Sequence, residues 1–140
     1  MTDYLLDTNL ISELLRPKPD ERVVDWVGSV NEDSLFLSVL TIGELTKGVA
    51  NLAASKRRAS LEDWIELELI PRFADRILPI DAAIASRWGL LSARAKQHGQ
   101  SLSVIDGLIA ATALTHDLTV VTRNVGDFGI TKARLHNPWR

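Results

Sequence analysis

Four carboxylates stand at comparable points of a sequence in which short apolar runs alternate with longer amphipathic stretches: Asp7, Glu44, Asp106 and Asp127. Asp7 directly follows the apolar run 4–6, and Asp127 lies in the polar segment after a second such run. Glu44 and Asp106 each fall in the predicted first turn of a helix. In a parallel sheet these positions lie at one edge, because the carboxyl ends of the strands meet there.

Each of these acids also has an ordinary structural role open to it. Asp7 fits the N-cap of the helix that follows it, and Asp127 fits a turn. The segment 41–44 has the pattern of a capping box, and the segment 103–106 is a near relative of one. The recurrence of acids at four matching points favours a shared site over four separate caps.

A cluster of carboxylates predicts a cation. Two carboxylates about 5 Å apart repel each other by roughly 3 kcal/mol at an effective dielectric constant near 20. Their hard oxygen atoms suit Mg²⁺ or Mn²⁺, and the absence of cysteine excludes thiolate ligands. A divalent ion among carboxylates can activate water and neutralise a phosphate. The residues therefore predict metal-assisted phosphodiester chemistry.

The segments that position these acids alternate between strand and helix patterns. The predicted strands are 4–6, 35–39, 77–80 and 118–122. The predicted helices are 10–15, 20–27, one opening at Thr41, a long one through 61–69, one from Asp81 to near Gly99, and one from Ser103. Pro71 is expected to end or kink the long helix, 123–129 to form a loop, and 134–140 a last short strand or tail. This alternation predicts one three-layer α/β domain over residues 1–140, with a mainly parallel sheet flanked by helices.

Composition limits the function classes. The 46% hydrophobic and 24% charged content is that of a globular chain, and no apolar run of 18 residues predicts a membrane span. The lack of cysteine suits the reducing cytoplasm. A net charge of −2 gives no general attraction to nucleic acid, so phosphate contacts need local basic side chains. The candidates for such contacts are Lys47, Lys56, Arg57, Arg58 and Arg123.

Five segments carry a resemblance to a known family. They are LLDTN (5–9), TIGEL (41–45), SVIDGLIAATA (103–113), TRNVGDF (122–128) and NPW (137–139). With these motifs in this order, the sequence resembles the PIN-domain ribonucleases. Within them it is similar to the VapC toxins of type II toxin–antitoxin systems, especially the FitB-like branch.

The resemblance implies a PIN-like fold, Mg²⁺ or Mn²⁺, and cleavage of single-stranded RNA. Carried over by position, Asp7 and Asp106 are the metal ligands. Glu44 completes the acidic pocket and holds the metal through water.

The fourth position of the acidic site stays open between two residues. Some relatives place an aspartate directly after a Thr-Arg pair, where this chain has Asn124. Others use the acid of an Asp-Phe pair, which corresponds to Asp127. Thr8 and Thr122 are expected to orient the acids or the attacking water.

The family further implies a small antitoxin partner and a homodimer. The apolar residues of the first two predicted helices either belong to the core of the domain or form a groove for an antitoxin helix. They are Leu10, Ile11, Leu14, Leu15, Val23, Val24, Trp26 and Val27. Two other functions are weighed against the ribonuclease. A haloacid-dehalogenase-type phosphatase normally has a second aspartate two residues after the nucleophile, where this chain has Asn9. A PIN-like binding module without catalysis would not need all four acids.

Overall fold

The computed structural model describes residues 2–140, and at its centre is a sheet of five parallel strands. The strands are β1 (Tyr4–Leu6), β2 (Leu35–Ser38), β3 (Ile77–Leu78), β4 (Thr119–Val121) and β5 (Leu135–His136). Their order across the sheet is β3-β2-β1-β4-β5, and every neighbouring pair is parallel. The central strand is therefore β1, and all carboxyl ends open toward one edge.

In the described part of the chain, seven α-helices surround the sheet. They are α1 (Thr8–Leu14), α2 (Glu21–Ser29), α3 (Val39–Ala50), α4 (Lys56–Trp64), α5 (Ile70–Arg72), α6 (Ala82–Gln97) and α7 (Val104–His116). Shorter 3₁₀ segments occur at Glu32–Ser34, Ala74–Arg76 and Val125–Thr131. Within residues 2–140, none of the helices combines the length and the apolar sequence that a bilayer crossing requires.

The strands are apolar on both faces, and their side chains contribute to two cores, one on each face of the sheet. Leu5 and Val120 pack with residues of α6 and α7, whereas Leu6 and Val121 pack with residues of α1, α2 and α3. Successive side chains of a strand point to opposite faces, so these four buried residues require helices on both sides. The predicted three-layer α/β fold is confirmed, and the sheet is parallel throughout.

The start of α3 differs from the prediction. The helix begins at Val39, and the Ser38 hydroxyl accepts a hydrogen bond of 3.0 Å from the backbone N–H of Leu40. The predicted capping box at 41–44 is therefore wrong, because Ser38 already supplies the acceptor at the end of β2. Thr41 is instead a buried residue of the first turn, and Glu44 lies in the second turn rather than the first.

The predicted end of the long helix at Pro71 agrees with the structure to within one residue, because α4, a π-helical segment (Ile65–Leu69) and α5 run on only as far as Arg72. A π turn changes the hydrogen-bond pattern just where proline lacks an N–H. Two further segments differ from the predictions. The long helix predicted through 61–69 begins earlier, at Lys56, so that the basic residues 56–58 form the first turn of α4, capped by Ser55. The segment predicted as a loop at 123–129 is largely a 3₁₀ helix.

Candidate active site

Asp7 is held at the end of the central strand by backbone and side-chain contacts. Its N–H donates to the carbonyl of Val121 at 3.0 Å, which continues the β1–β4 pairing by one residue. One carboxylate oxygen accepts the N–H of Thr8 at 2.8 Å and so caps α1. The other accepts the Thr122 hydroxyl at 2.8 Å. Asp7 therefore caps the helix and also occupies the site, with 6% of its surface exposed.

Thr122 fixes the direction of the hydrogen bond to Asp7. Its buried hydroxyl accepts the side-chain amide of Asn9 at 3.1 Å and the backbone N–H of Asn124 at 3.1 Å. Because two donors already point at this oxygen, its single proton is directed to the carboxylate of Asp7. The Thr122 hydroxyl thus links the end of β4 to the start of α1.

Glu44 is brought to the same region by the second turn of α3. The Thr8 hydroxyl donates to a carboxylate oxygen of Glu44 at 2.5 Å and lies 3.4 Å from the hydroxyl of Thr41. Thr41 and Glu44 are three residues apart and therefore share one face of the helix. A hydroxyl on the first residue of α1 therefore contacts an acid of α3.

Asp106 lies in the first turn of α7, where Ser103 is the cap. The Ser103 hydroxyl accepts the backbone N–H of Asp106 at 3.1 Å. The next residue, Gly107, lies against α6, since a Cβ added there would be 2.7 Å from the Cδ1 atom of Trp88. A larger residue would require the indole or the helix to move, so glycine permits this close approach of the first turn of α7 to α6.

The ends of β1, α1, α3 and α7 border an open cavity of about 540 Å³ at the carboxyl edge of the sheet. The residues that line it are Asp7, Thr8, Asn9, Ser12, Glu13, Arg16, Glu44, Asp106 and Asn124. Three of the four acids proposed from the sequence therefore share a cavity. Asp127 does not line it, whereas Asn124 does.

The negative charges of the neighbouring acids affect the pKa values of Asp7 and Asp106. Burial raises the pKa of Asp7, and the charges of Asp106 and Glu44 raise it further, against hydrogen bonds such as that from Thr122. Burial also raises the pKa of Asp106, and the charges of Asp127 and Glu44 add to the effect. Asp127 thus acts on the site electrostatically from outside the cavity lining. The field at this edge favours a positive charge.

The donor set fits a hard divalent cation. Asp7, Glu44 and Asp106 present only carboxylate oxygens, and Asn124 adds an amide. Within residues 2–140, no three His, Asp or Glu side chains are already arranged to hold a metal ion. The fit therefore rests on donor chemistry and shared lining, not on a completed coordination sphere.

Comparison with known proteins identifies the family. The sequence model of the PIN domain matches residues 4–128, which include all four acids. This chain is a PIN domain. That result confirms the resemblance carried by the five sequence motifs. PIN-domain nucleases of the VapC type generally use a divalent metal ion.

Individual relatives of this PIN domain match over almost the full chain. Toxin FitB of Neisseria gonorrhoeae is 45% identical over 135 residues, which cover 96% of this chain and 97% of FitB. VapC ribonuclease Y4jK of Sinorhizobium fredii is 38% identical over 135 residues, 96% of each chain. The crystal structure of FitAcB from Neisseria gonorrhoeae superposes with a TM-score of 0.94 at 44% identity, covering 98% of this chain and 99% of that one.

The basic residues proposed for RNA contact lie outside the cavity lining of this PIN domain. Lys47 borders a neighbouring groove, and residues 56–58 begin α4. Arg123 directs its guanidinium at the ring of Trp139, 5.8 Å from the centroid. The cation that does line the cavity, Arg16, was not among the predictions.

Apart from Thr8, the sequence prediction also missed the contribution of α1 to the cavity. Asn9, Ser12, Glu13 and Arg16 line it together, with Arg16 just beyond the helix. Their spacing of three, four and seven residues places them on one helical face. A polar stripe at this spacing, directly after Asp7 in an otherwise apolar helix, is the sequence signal that identifies them.

Proposed function

We propose that this PIN domain is a metal-dependent endoribonuclease that acts as the toxin of a type II toxin–antitoxin pair and cleaves single-stranded RNA. The observation that carries the proposal is the convergence of Asp7, Glu44 and Asp106 on one cavity from β1, α3 and α7. The relatives named toxin and ribonuclease, which match almost the whole chain, support it. We take residues 1–140 as a single functional domain.

Asp7 and Asp106 are the proposed direct ligands of Mg²⁺ or Mn²⁺, with Glu44 and Asp127 acting through water. When bound, such an ion supplies a Lewis acid and lowers the pKa of a coordinated water. The protein contributes carboxylates of Asp7 and Glu44 that neighbouring groups hold by hydrogen bonds. Asn124, on the cavity wall, is a neutral oxygen donor that can complete the set.

The neutral side chains of the site hold these carboxylates in place. The hydroxyl of Thr122 and the amide of Asn9 orient Asp7, while the hydroxyl of Thr8 orients Glu44. Hydrogen bonds to a carboxylate hold it in its ionised, metal-binding form and oppose the effect of burial on its pKa. We assign Thr8 and Thr122 as positioning residues rather than as proton donors.

The phosphatase alternative lacks its acid–base residue. In that class the residue two positions after the nucleophile transfers a proton. Here Asn9 donates its side-chain N–H to Thr122 at 3.1 Å and to Asp7 at 3.4 Å, and an amide cannot act as an acid or base near neutral pH. The inactive-module alternative is disfavoured because three acids remain together in an open cavity.

We further propose that the protein acts in the cytoplasm as a homodimer and is neutralised by an antitoxin helix. The docking surface is the groove between α1, α2 and the π-helical segment, whose lining includes Leu14, Val27 and Trp64. Leu10 and Val23, counted among the groove candidates from the sequence, are fully buried in the core. Leu14→Lys is expected to weaken antitoxin binding while RNA cleavage by the free protein persists.

A matched control for the groove is Leu90→Lys, because Leu90 is an exposed leucine on α6, with 74% of its surface accessible. Equal antitoxin affinity for the two variants and the wild type would refute this groove. A sedimentation profile that shows only monomer at micromolar concentration would refute the homodimer.

Cleavage of a single-stranded RNA by the purified protein, free of antitoxin, tests the ribonuclease. We expect cleavage in Mg²⁺ or Mn²⁺, none in EDTA, and none by Asp106→Asn prepared in parallel. The parallel variant controls for a contaminating nuclease, because the contaminant would survive the substitution. Equal cleavage in EDTA and in Mg²⁺ by the wild type alone would overturn the metal-dependent mechanism.

A further inference from the structure

A buried carboxylate on α1 connects the cavity to the C-terminal tail. Glu13 is 6% exposed, and one of its oxygens accepts the indole N–H of Trp139 at 3.1 Å. The other accepts the backbone N–H of Asp20 at 3.1 Å, in the turn before α2. These hydrogen bonds, led by the one from Trp139, lower the pKa of Glu13. Glu13 is therefore a fixed, ionised group at the cavity wall.

Arg16 lies one turn further along the chain and is held loosely by this anchor. Its Nη1 atom is 3.5 Å from the Oε1 atom of Glu13, and 64% of its side chain is exposed. Both oxygens of Glu13 already have closer donors, so the ion pair leaves most of the five guanidinium N–H groups free. Of the residues that line the cavity in the described part of the chain, Arg16 is the one that carries a positive charge.

We propose that Arg16 binds a backbone phosphate of the RNA beside the acidic centre, and that Glu13 and Trp139 position it. The inference rests on the proposed ribonuclease function. A phosphate approaching Asp7, Glu44 and Asp106 meets their negative field, and a cation on the same cavity wall offsets it. A guanidinium suits this role because its planar donors match two phosphate oxygens.

Trp139 contacts both Glu13 and Arg123. Its N–H holds Glu13, while the guanidinium of Arg123 lies 5.8 Å from the centre of its ring. The indole is 5% exposed and therefore fixed. Loss of the indole N–H would remove one of the two closer hydrogen bonds that fix Glu13, the partner of Arg16.

The first test measures RNA binding without cleavage. Fluorescence anisotropy of a labelled single-stranded RNA is recorded with Asp106→Asn protein over a range of salt concentrations. Adding Arg16→Gln is expected to weaken binding about tenfold, the effect of losing one charge-assisted hydrogen-bonded contact. The slope of log affinity against log salt should fall by about 0.7, the value for one phosphate contact on a single strand. Arg16→Lys should keep the slope and lose part of the affinity.

Arg134→Gln is the matched control. Arg134 is similarly exposed, at 59%, and pairs with one carboxylate, Asp117, at 2.9 Å. It lies at the amino ends of β4 and β5, the opposite edge of the sheet, so its loss should leave affinity and slope unchanged. Equal effects of the two substitutions, or an unchanged slope in Arg16→Gln, would overturn the inference.

The second test concerns positioning and uses cleavage kinetics. Trp139→Phe keeps an aromatic ring and removes the N–H that holds Glu13, so it should raise KM with little change in kcat. In protein that already carries Arg16→Gln, the same substitution should change KM no further. A lower melting temperature with an unaltered KM would show that Trp139 is only structural, and would refute this part. If the wild type cleaves no RNA the proposed function fails, whereas normal cleavage with an unaffected Arg16→Gln refutes the inference alone.

Discussion

Replacement of Asp106 by asparagine distinguishes two roles of this carboxylate, catalysis and stabilisation of a helix N-terminus. Asparagine keeps the shape of the side chain, removes its charge, and leaves the backbone N–H of residue 106 bonded to Ser103. The charges that act on Asp106 come from Glu44 and Asp127, and Asp106 in turn raises the pKa of Asp7. The substitution should therefore relieve repulsion in the metal-free protein and abolish RNA cleavage.

The expected gain in stability follows from two opposed terms. Two carboxylates about 7 Å apart repel by roughly 2 kcal/mol at an effective dielectric constant near 20, and solvent and salt reduce this at a partly exposed site. Loss of a negative charge in the first turn of α7 costs about 0.3–1 kcal/mol. The net gain is about 1 kcal/mol, or roughly 4 °C in melting temperature for a chain of this size.

Thermal melts of both proteins in EDTA and in Mg²⁺, alongside the RNA assay, measure this difference. The ion should stabilise the wild type by mass action, by about 2.7 kcal/mol at a hundredfold excess over Kd, and the variant much less. A helix cap predicts the opposite sign: a lower melting temperature for Asp106→Asn and intact cleavage. That combination would refute the acidic-site assignment.

Three other predictions follow from contacts around the same site. The metal-free protein should become more stable as the pH falls from neutral toward about 5, because folding disfavours the ionised forms of Asp7 and Asp106, and urea unfolding at several pH values measures this. Thr122→Val should cost about 1–3 kcal/mol and reduce cleavage, since it removes the donor to buried Asp7 and leaves polar groups unpaired. Gly107→Ala should cost about 1–3 kcal/mol and lower kcat, because its Cβ would displace Trp88 or the first turn of α7.

Each of these predictions has its own control. The pH series stays above about pH 5. The pKa values of Glu13 and Asp20 are lowered in the folded protein, that of Asp20 to about 2. Both groups therefore lose their contribution to stability in more acidic solution. Thr122→Ser keeps the hydroxyl, and equal loss in both variants would argue against the hydrogen bond. Gly43→Ala adds a Cβ that meets nothing within 4 Å, so a helix stabilised by up to about 1 kcal/mol is expected there.

The features predicted correctly from the sequence are those encoded by adjacent residues. The strand before Asp7 and the caps at Asp81 and Ser103 were found because apolar runs and capping side chains act within one turn of their own position. Asp7, Glu44 and Asp106 were placed at one edge by the rule for parallel strands, and they do share a cavity.

The features that were missed depend on tertiary structure. The cap of α3 shifted to Ser38 because β2 and the helix join without a loop, which the pattern around Thr41 does not reveal. The fourth residue of the acidic site stayed open between Asn124 and Asp127, because the choice depends on the path of the 3₁₀ segment Val125–Thr131. Arg16 was not predicted because the sequence alone does not show which face of α1 lines the cavity.

The most direct test of the proposed metal site is an anomalous difference map from a crystal of the antitoxin-free protein soaked in Mn²⁺. We predict a peak between the carboxylates of Asp7 and Asp106, and no such peak in crystals of Asp106→Asn. A wild-type map with no peak in this cavity, from crystals whose dissolved protein cleaves RNA in Mn²⁺, would contradict the assignment.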